Sequence, residues 1–313
     1  MTGHPDIPGR RDAAVVNGLL LLNKPAGMTS NQALQKVKRL LQAKKAGHTG
    51  SLDPAATGML PLCFGEATKI CAYLLAADKT YRVTARLGEA TDTGDADGQV
   101  VETAPVPEFG RQEWEKLILA FVGETTQIPP MYSALKQNGK RLYELARKGE
   151  VVERDARPVR IDEINLLEAS GTRLVLRVRC SKGTYIRTLV EDIAKSAGTV
   201  AHTVNLHRET VGSFKAEDML DMSSAELAAK DDPSALRGRL LPADAALTGW
   251  LECRVSAVDG QRFCGGQAVP CNIEGRELVK VYGANGSFLG IGALEPDGMV
   301  APRRIFKVSG ADL

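Results

Sequence analysis

Gly18 to Asn23 reads GLLLLN, an apolar run of strand length stopped at once by Lys24-Pro25. A run this short suits a buried strand that ends in a turn. The chain must therefore build a sheet and cover it. Leu174 to Cys180 carries the complementary signature: Leu174, Leu176 and Val178 alternate with Val175, Arg177 and Arg179. Val159 to Glu168 reads as its neighbour, Tyr81 to Leu87 alternates well enough for another strand, and Gln99 to Glu102 is extended.

Helices are expected between these strands. Thr29 and Gln32 stand at capping-box spacing, and Leu34, Val37 and Leu41 recur on one helical face. Gly47 sits where a C-terminal cap would be. The pattern from Ala55 to Leu75 looks helical, although Gly58 and Pro61 interrupt it. Glu113 to Val122, Arg141 to Lys148 and Tyr185 to Ser196 complete the set. From about Thr248 the chain turns glycine-rich with short extended runs, which suggests a small β-rich appendix. The class is mixed α+β with a sheet at its centre. A length of 313 residues fits one large domain plus a smaller one.

A hydrophobic fraction of 43% and a charged fraction of 25% exclude disordered and fibrous classes. No apolar run approaches the ~20 residues that span a bilayer. Residues 1–17 carry Pro5 and Pro8 and no apolar core of the secretory kind, so they read as a flexible leader and the location as cytoplasmic. None of the six cysteines forms a C-x-x-C pair, which leaves buried free thiols. Net charge is only +2, but Met1 to Leu60 hold eight Lys/Arg against three acids. A local basic excess suits a polyanion, and a solvated helix face would look the same.

Three segments could carry chemistry. Asp53 lies in the loop GHTGSLDP, five residues after His48, with Pro54 fixing the backbone behind it. A carboxylate there can be a nucleophile, a base or a helix cap. Asp95-Ala96-Asp97-Gly98 invites a calcium reading, but the EF-hand frame puts Thr93 and Ala104 at ligand positions, so a solvated turn is expected and no metal. In SKGTYIRTL a strand passes through Gly183 into a helix bearing Tyr185 and Arg187. An arginine so placed can pair with a carboxylate or lie on the surface. Nucleotide-cofactor motifs are absent; Lys24 and Lys69 could contact phosphate, but isolated lysines are usually just solvated.

Together GLLLLNKPAGMTS, GHTGSLDPAATGMLPLCFGEATK, DKTYRVTARLGEATDTGDADG, QIPPMYSALKQNGKRLYELARKG and SKGTYIRTLVEDIA resemble the TruB family of tRNA pseudouridine-55 synthases. The resemblance covers nearly the whole chain after the leader. It implies a pseudouridine synthase fold with a mixed, mainly antiparallel central sheet and flanking helices over 18–247. It also implies an RNA-gripping thumb within about 127–157 and a PUA-like domain over 248–313. Asp53 would be the catalytic aspartate, Arg187 its partner, and His48 the histidine that enters the T loop. Tyr81 would stack on the flipped base, and Tyr185 and Leu206 would complete the uridine pocket. His207 departs from the family, which usually has arginine there.

The implied activity isomerises uridine-55 in the T arm of tRNA to pseudouridine, without cofactor, guide RNA or protein partner, by a monomer. A tRNA-folding chaperone that needs no catalysis is the alternative, and would tolerate loss of Asp53. A guide-RNA-dependent relative is the third reading. The full-length thumb-like segment and the lack of a lysine-rich tail favour the stand-alone enzyme.

Overall fold

The computed structural model describes residues 15–137, 139–275 and 277–307, so residues 1–14 of the expected leader lie outside the described residues. Nine strands form the central sheet: β1 Gly18–Lys24, β2 Ala46–His48, β3 Thr57–Phe64, β4 Lys79–Leu87, β5 Gly123–Gln127, β6 Arg157–Ser170, β7 Arg173–Cys180, β8 Ala201–Val211 and β9 Leu220–Asp221. Their order is β9-β1-β3-β8-β4-β7-β6-β5, with β2 paired to β3. Only β1 with β9 and β3 with β8 run parallel, so the sheet is mixed and mainly antiparallel.

One face of the sheet is covered in two halves. Helix α1, Ser30–Leu41, buries Ala33, Leu34, Val37 and Leu41 over Leu20 and Leu22 of β1 and Leu60 and Leu62 of β3. Helices α2, Arg111–Leu119, and α3, Ile186–Ser196, cover Val83, Leu176 and Val178 in the other half. The capping box at Thr29 forms as its spacing predicts: Gln32 N–H donates to Thr29 Oγ1 at 3.1 Å, and Thr29 N–H to Gln32 Oε1 at 2.8 Å.

Two expectations for this region fail. Helix α1 ends at Leu41 on the left-handed Gln42, φ 55°, so Gly47 lies in β2 and caps nothing. The stretch expected to be helical from Ala55 to Leu75 begins instead as β3, a central strand whose two buried faces erase any alternation, and turns helical only at Gly65–Ile70 and Cys71–Ala76. Pro61 is tolerated because β8 pairs only at Thr57 and Gly58 and β2 only from Leu62 onward. Gly58, at φ +99°, lies so close to Arg208 that a Cβ would strike its backbone.

A second sheet of five strands spans Glu252 to Ile305. It is seated on the opposite face of the first, where Ile291 and Phe306 pack with Leu19, Leu21, Met59 and Leu247. Lys69, expected to be solvated, ties the two sheets together. Its ammonium donates to the carbonyl of Ile305 at 2.5 Å and pairs with Glu66, which accepts from Lys307 N–H at 2.8 Å. All six cysteines are free. Among the described residues, no helix is long and apolar enough to cross a membrane.

Candidate active site

Asp53 sits in the loop between β2 and β3, and that loop is fastened at every turn. Leu52 N–H donates to Ser30 Oγ at 2.8 Å, and the hydroxyl donates back to the carbonyl of Leu52 at 3.1 Å. Gly27 N–H donates to Pro54 O at 3.0 Å, and Thr49 N–H to Pro61 O at 3.2 Å. Two buried cations finish the clamp. Lys24, 0% exposed, donates to the carbonyls of Pro25, Met28 and Pro54. Arg208, 1% exposed, donates to Met59 O at 2.6 Å and Gly50 O at 3.1 Å. Lys24 was expected to be a solvated lysine. Burial instead pushes its ammonium down to about 8, while nearby Asp53 resists that fall.

Arg187, in the first turn of α3, meets Asp53 with Nε at 3.1 Å from Oδ2. The guanidinium is almost wholly buried and donates to Thr93 O at 2.6 Å and Tyr132 O at 2.7 Å, with the carboxylate of Asp95 at ion-pair distance, 3.5 Å. One arginine therefore joins the Asp53 loop, the acidic loop and the segment after β5.

The acidic loop is a wall of the site, which corrects the solvated-turn expectation. It docks on β8 through Ala96 N–H to Thr203 O and Thr203 N–H to Gly94 O, both at 3.0 Å. Asp95 is held from within by the Thr93 hydroxyl at 2.6 Å and by Asp97 N–H at 3.2 Å. No metal-binding cluster occurs among the described residues.

The recess so formed is lined by Asp53, Ala55, Ala56, Asp95, Arg187 and Leu206, with about 20 Å³ of free volume. Burial raises the Asp53 carboxyl above its ordinary value. Arg187 pulls it back and Asp95 adds to the rise, so the arginine orients the carboxylate without holding it below the usual range.

Of the remaining expected residues, Leu206 lines the recess, and Tyr81 is buried on β4 beside Leu52 and Ala56. Tyr185 caps α3, its N–H donating to Gln127 Oε1 at 2.9 Å while Gln127 Nε2 donates to Tyr185 O at 3.2 Å. His48 ends β2 with a buried Nδ1 that has no hydrogen-bond partner among the described residues, and burial lowers its ring below the usual histidine value. It is therefore neutral near pH 7. Sequence reasoning missed Ser30, Arg208 and Asp95 as parts of this site. Only the side-chain type at Asp95 was a usable signal, since its partner is remote in sequence.

Tyr81 separates a stacking role from a merely structural one. Tyr81→Phe should keep most activity if the ring alone matters. Tyr81→Leu should then lose it, by about 1–3 kcal/mol of base stacking, with its melting temperature little changed. Single-turnover rate, tRNA affinity and melting temperature on both variants decide between the roles. Loss of activity that tracks loss of stability would return Tyr81 to the core.

Family models match residues 38–248 and 252–306. One described as "TruB family pseudouridylate synthase (N terminal domain)" matches residues 38–186. "tRNA pseudouridylate synthase B C-terminal domain" matches residues 187–248, and "Pseudouridine synthase II TruB, C-terminal" matches 252–306. The chain is 48% identical over 297 residues to the tRNA pseudouridine synthase B of Nitrosococcus oceani, covering 94% of this chain and 96% of that protein. It is 46% identical over 307 residues to that of Escherichia coli O1:K1 / APEC, covering 95% and 97%. Among solved structures, an H/ACA RNP bound to a substrate RNA containing 2′-deoxyuridine matches with a TM-score of 0.71 at 22% identity, covering 94% of this chain and 86% of that one. The archaeal box H/ACA sRNP Nop10-Cbf5 complex matches at 0.70 and 22%, covering 96% and 89%. At that identity the likeness concerns the fold alone.

Proposed function

The chain belongs to the TruB family of pseudouridylate synthases, isomerases that act on tRNA, and within it we propose that this protein isomerises uridine-55 of the T arm. What carries the reading is the carboxylate of Asp53 held 3.1 Å from the buried guanidinium of Arg187 in a recess beside Leu206. The free space there, about 20 Å³, holds about one water molecule, so entry of a uracil must part the walls.

Extruding the stacked base costs about a few kcal/mol. In our reading His48, neutral and presenting an unpartnered nitrogen, fills the space the base leaves, while Tyr81 and Tyr185 offer aromatic faces to the uracil. The C1′–N1 bond then breaks, the uracil turns, and C1′ joins C5; the C5 proton is lost and a proton is gained at N1, so the product is an isomer. Asp53 acts as nucleophile or as base at C2′; both routes need it ionised. Residues 18–247 would carry the chemistry and 248–313 a PUA-like module. The segment 127–157 would grip RNA with its exposed Lys136, Lys140, Arg141, Arg147 and Lys148. The protein would work without guide RNA, partner or cofactor.

The raised carboxyl gives this reading a pH signature. Because the ionised form is the active one, the single-turnover rate on unmodified tRNA should fall as pH drops through the Asp53 value. That value lies above the ~3.9 of an ordinary aspartate. Asp95→Asn removes a neighbouring negative charge, which should move the acid limb to lower pH. An acid limb unmoved by Asp95→Asn would detach it from Asp53.

A further inference from the structure

The face of the sheet away from Asp53 is covered only in part. Over β1 and β3 lies the second sheet, but over β8, β4 and β7 there is an open groove of about 730 Å³. Its floor is a row of polar side chains in register across four strands, Arg177, Arg82, His207 and Thr57, and the row runs on past the groove to Asn165. A second row sets Arg173 opposite Arg86. Like charges directly opposed across a sheet are destabilising, and here arginine faces arginine in both rows.

Diagonal acids offset part of this. Arg177 pairs with Glu209 at 2.7 Å, Arg86 with Glu89 at 2.9 Å and Arg173 with Glu168 at 3.1 Å. Arg82, in the groove, and Arg179, one row beyond its lining on the same face of the sheet, are exposed and have neither ion pair nor side-chain hydrogen bond among the described residues. A concave, open, net-positive floor with the free guanidinium fork of Arg82 in it and that of Arg179 at its edge matches phosphate oxygens, which accept such forks in pairs. The groove is also near the reaction. Thr57, in its wall, donates to or accepts from His207 Nδ1 at 2.8 Å and lies four residues along the chain from Asp53. An extended chain of that length reaches at most ~14 Å, about four stacked-nucleotide steps.

We propose that this groove is a second phosphate-binding surface, which takes the backbone of the same tRNA outside its T arm. The proposal rests on the tRNA reading above. Arg82 and Arg179 supply the contacts, and bound phosphate relieves the repulsion between the arginine rows.

The test compares salt dependence of binding for unmodified tRNA and for an isolated T-arm hairpin, with wild type, Arg82→Ser/Arg179→Ser and Glu209→Gln. Two lost duplex contacts should flatten the tRNA slope of log K against log salt by about 1.8. The hairpin slope should stay at the wild-type value, and so should the single-turnover rate on the hairpin, which does not reach the groove. Glu209→Gln frees Arg177 and should steepen the tRNA slope by about 0.9. An unchanged tRNA slope in either variant overturns the proposal, as does an equal flattening with the hairpin, which would put these arginines at the T arm. Pseudouridine formation by wild type on both RNAs reports separately on the underlying function.

Discussion

Asp53→Asn should abolish pseudouridine formation, by on the order of 10⁴-fold or more in single-turnover rate, while tRNA binding stays close to wild type. The amide is nearly isosteric with the carboxylate but carries no charge and cannot act as nucleophile or base. The loop that carries it does not depend on its charge, because Ser30, Lys24, Gly27 and Arg208 fasten the backbone on both sides. The Asp53 side chain is itself 42% exposed. The variant should therefore melt near the wild-type temperature. Substantial product after long incubation would remove Asp53 from its role and return weight to a chaperone that needs no chemistry.

Arg187→Met should damage both fold and rate. The arginine is buried at the meeting of three segments, and its loss leaves Asp95 without its countercharge and the carbonyls of Thr93 and Tyr132 without a side-chain donor. Removing one partner of such a network costs about 3–5 kcal/mol. Arg187→Lys separates the two effects. It keeps the charge but cannot reach four acceptors with one ammonium, so it should recover much of the stability and little of the rate. Thermal melts alongside single-turnover rates provide the comparison. A lysine variant with wild-type rate would show that charge alone is needed and that the planar fork does not orient Asp53.

Local chemistry made much of this legible. Thr29 and Gln32 announced the start of α1, the alternation of Leu174 to Cys180 announced β7, and a glycine-flanked Asp-Pro step marked the Asp53 loop. The failures share a cause. β3 looked helical because a strand buried on both faces shows no period, and β8 went unread because two register shifts break its alternation. Lys24 looked solvated because its acceptors are backbone carbonyls, which no side-chain pattern records, and Lys69 because, beside its pairing with Glu66, its second acceptor is the carbonyl of Ile305, far along the chain. Asp95 resembled an ordinary turn residue until β8 and α3 brought Thr203 and Arg187 against its loop. Burial of Lys24, Arg208 and Arg187 around one loop is a property of the packed sheet, and only the assembled fold displays it.

The most direct measurement incubates purified protein with unmodified tRNA, with no guide RNA, cofactor or partner present, and maps pseudouridine along the product. The account predicts one pseudouridine per tRNA, at position 55, absent from the Asp53→Asn reaction. No pseudouridine under these conditions, or pseudouridine only at another position, would contradict it.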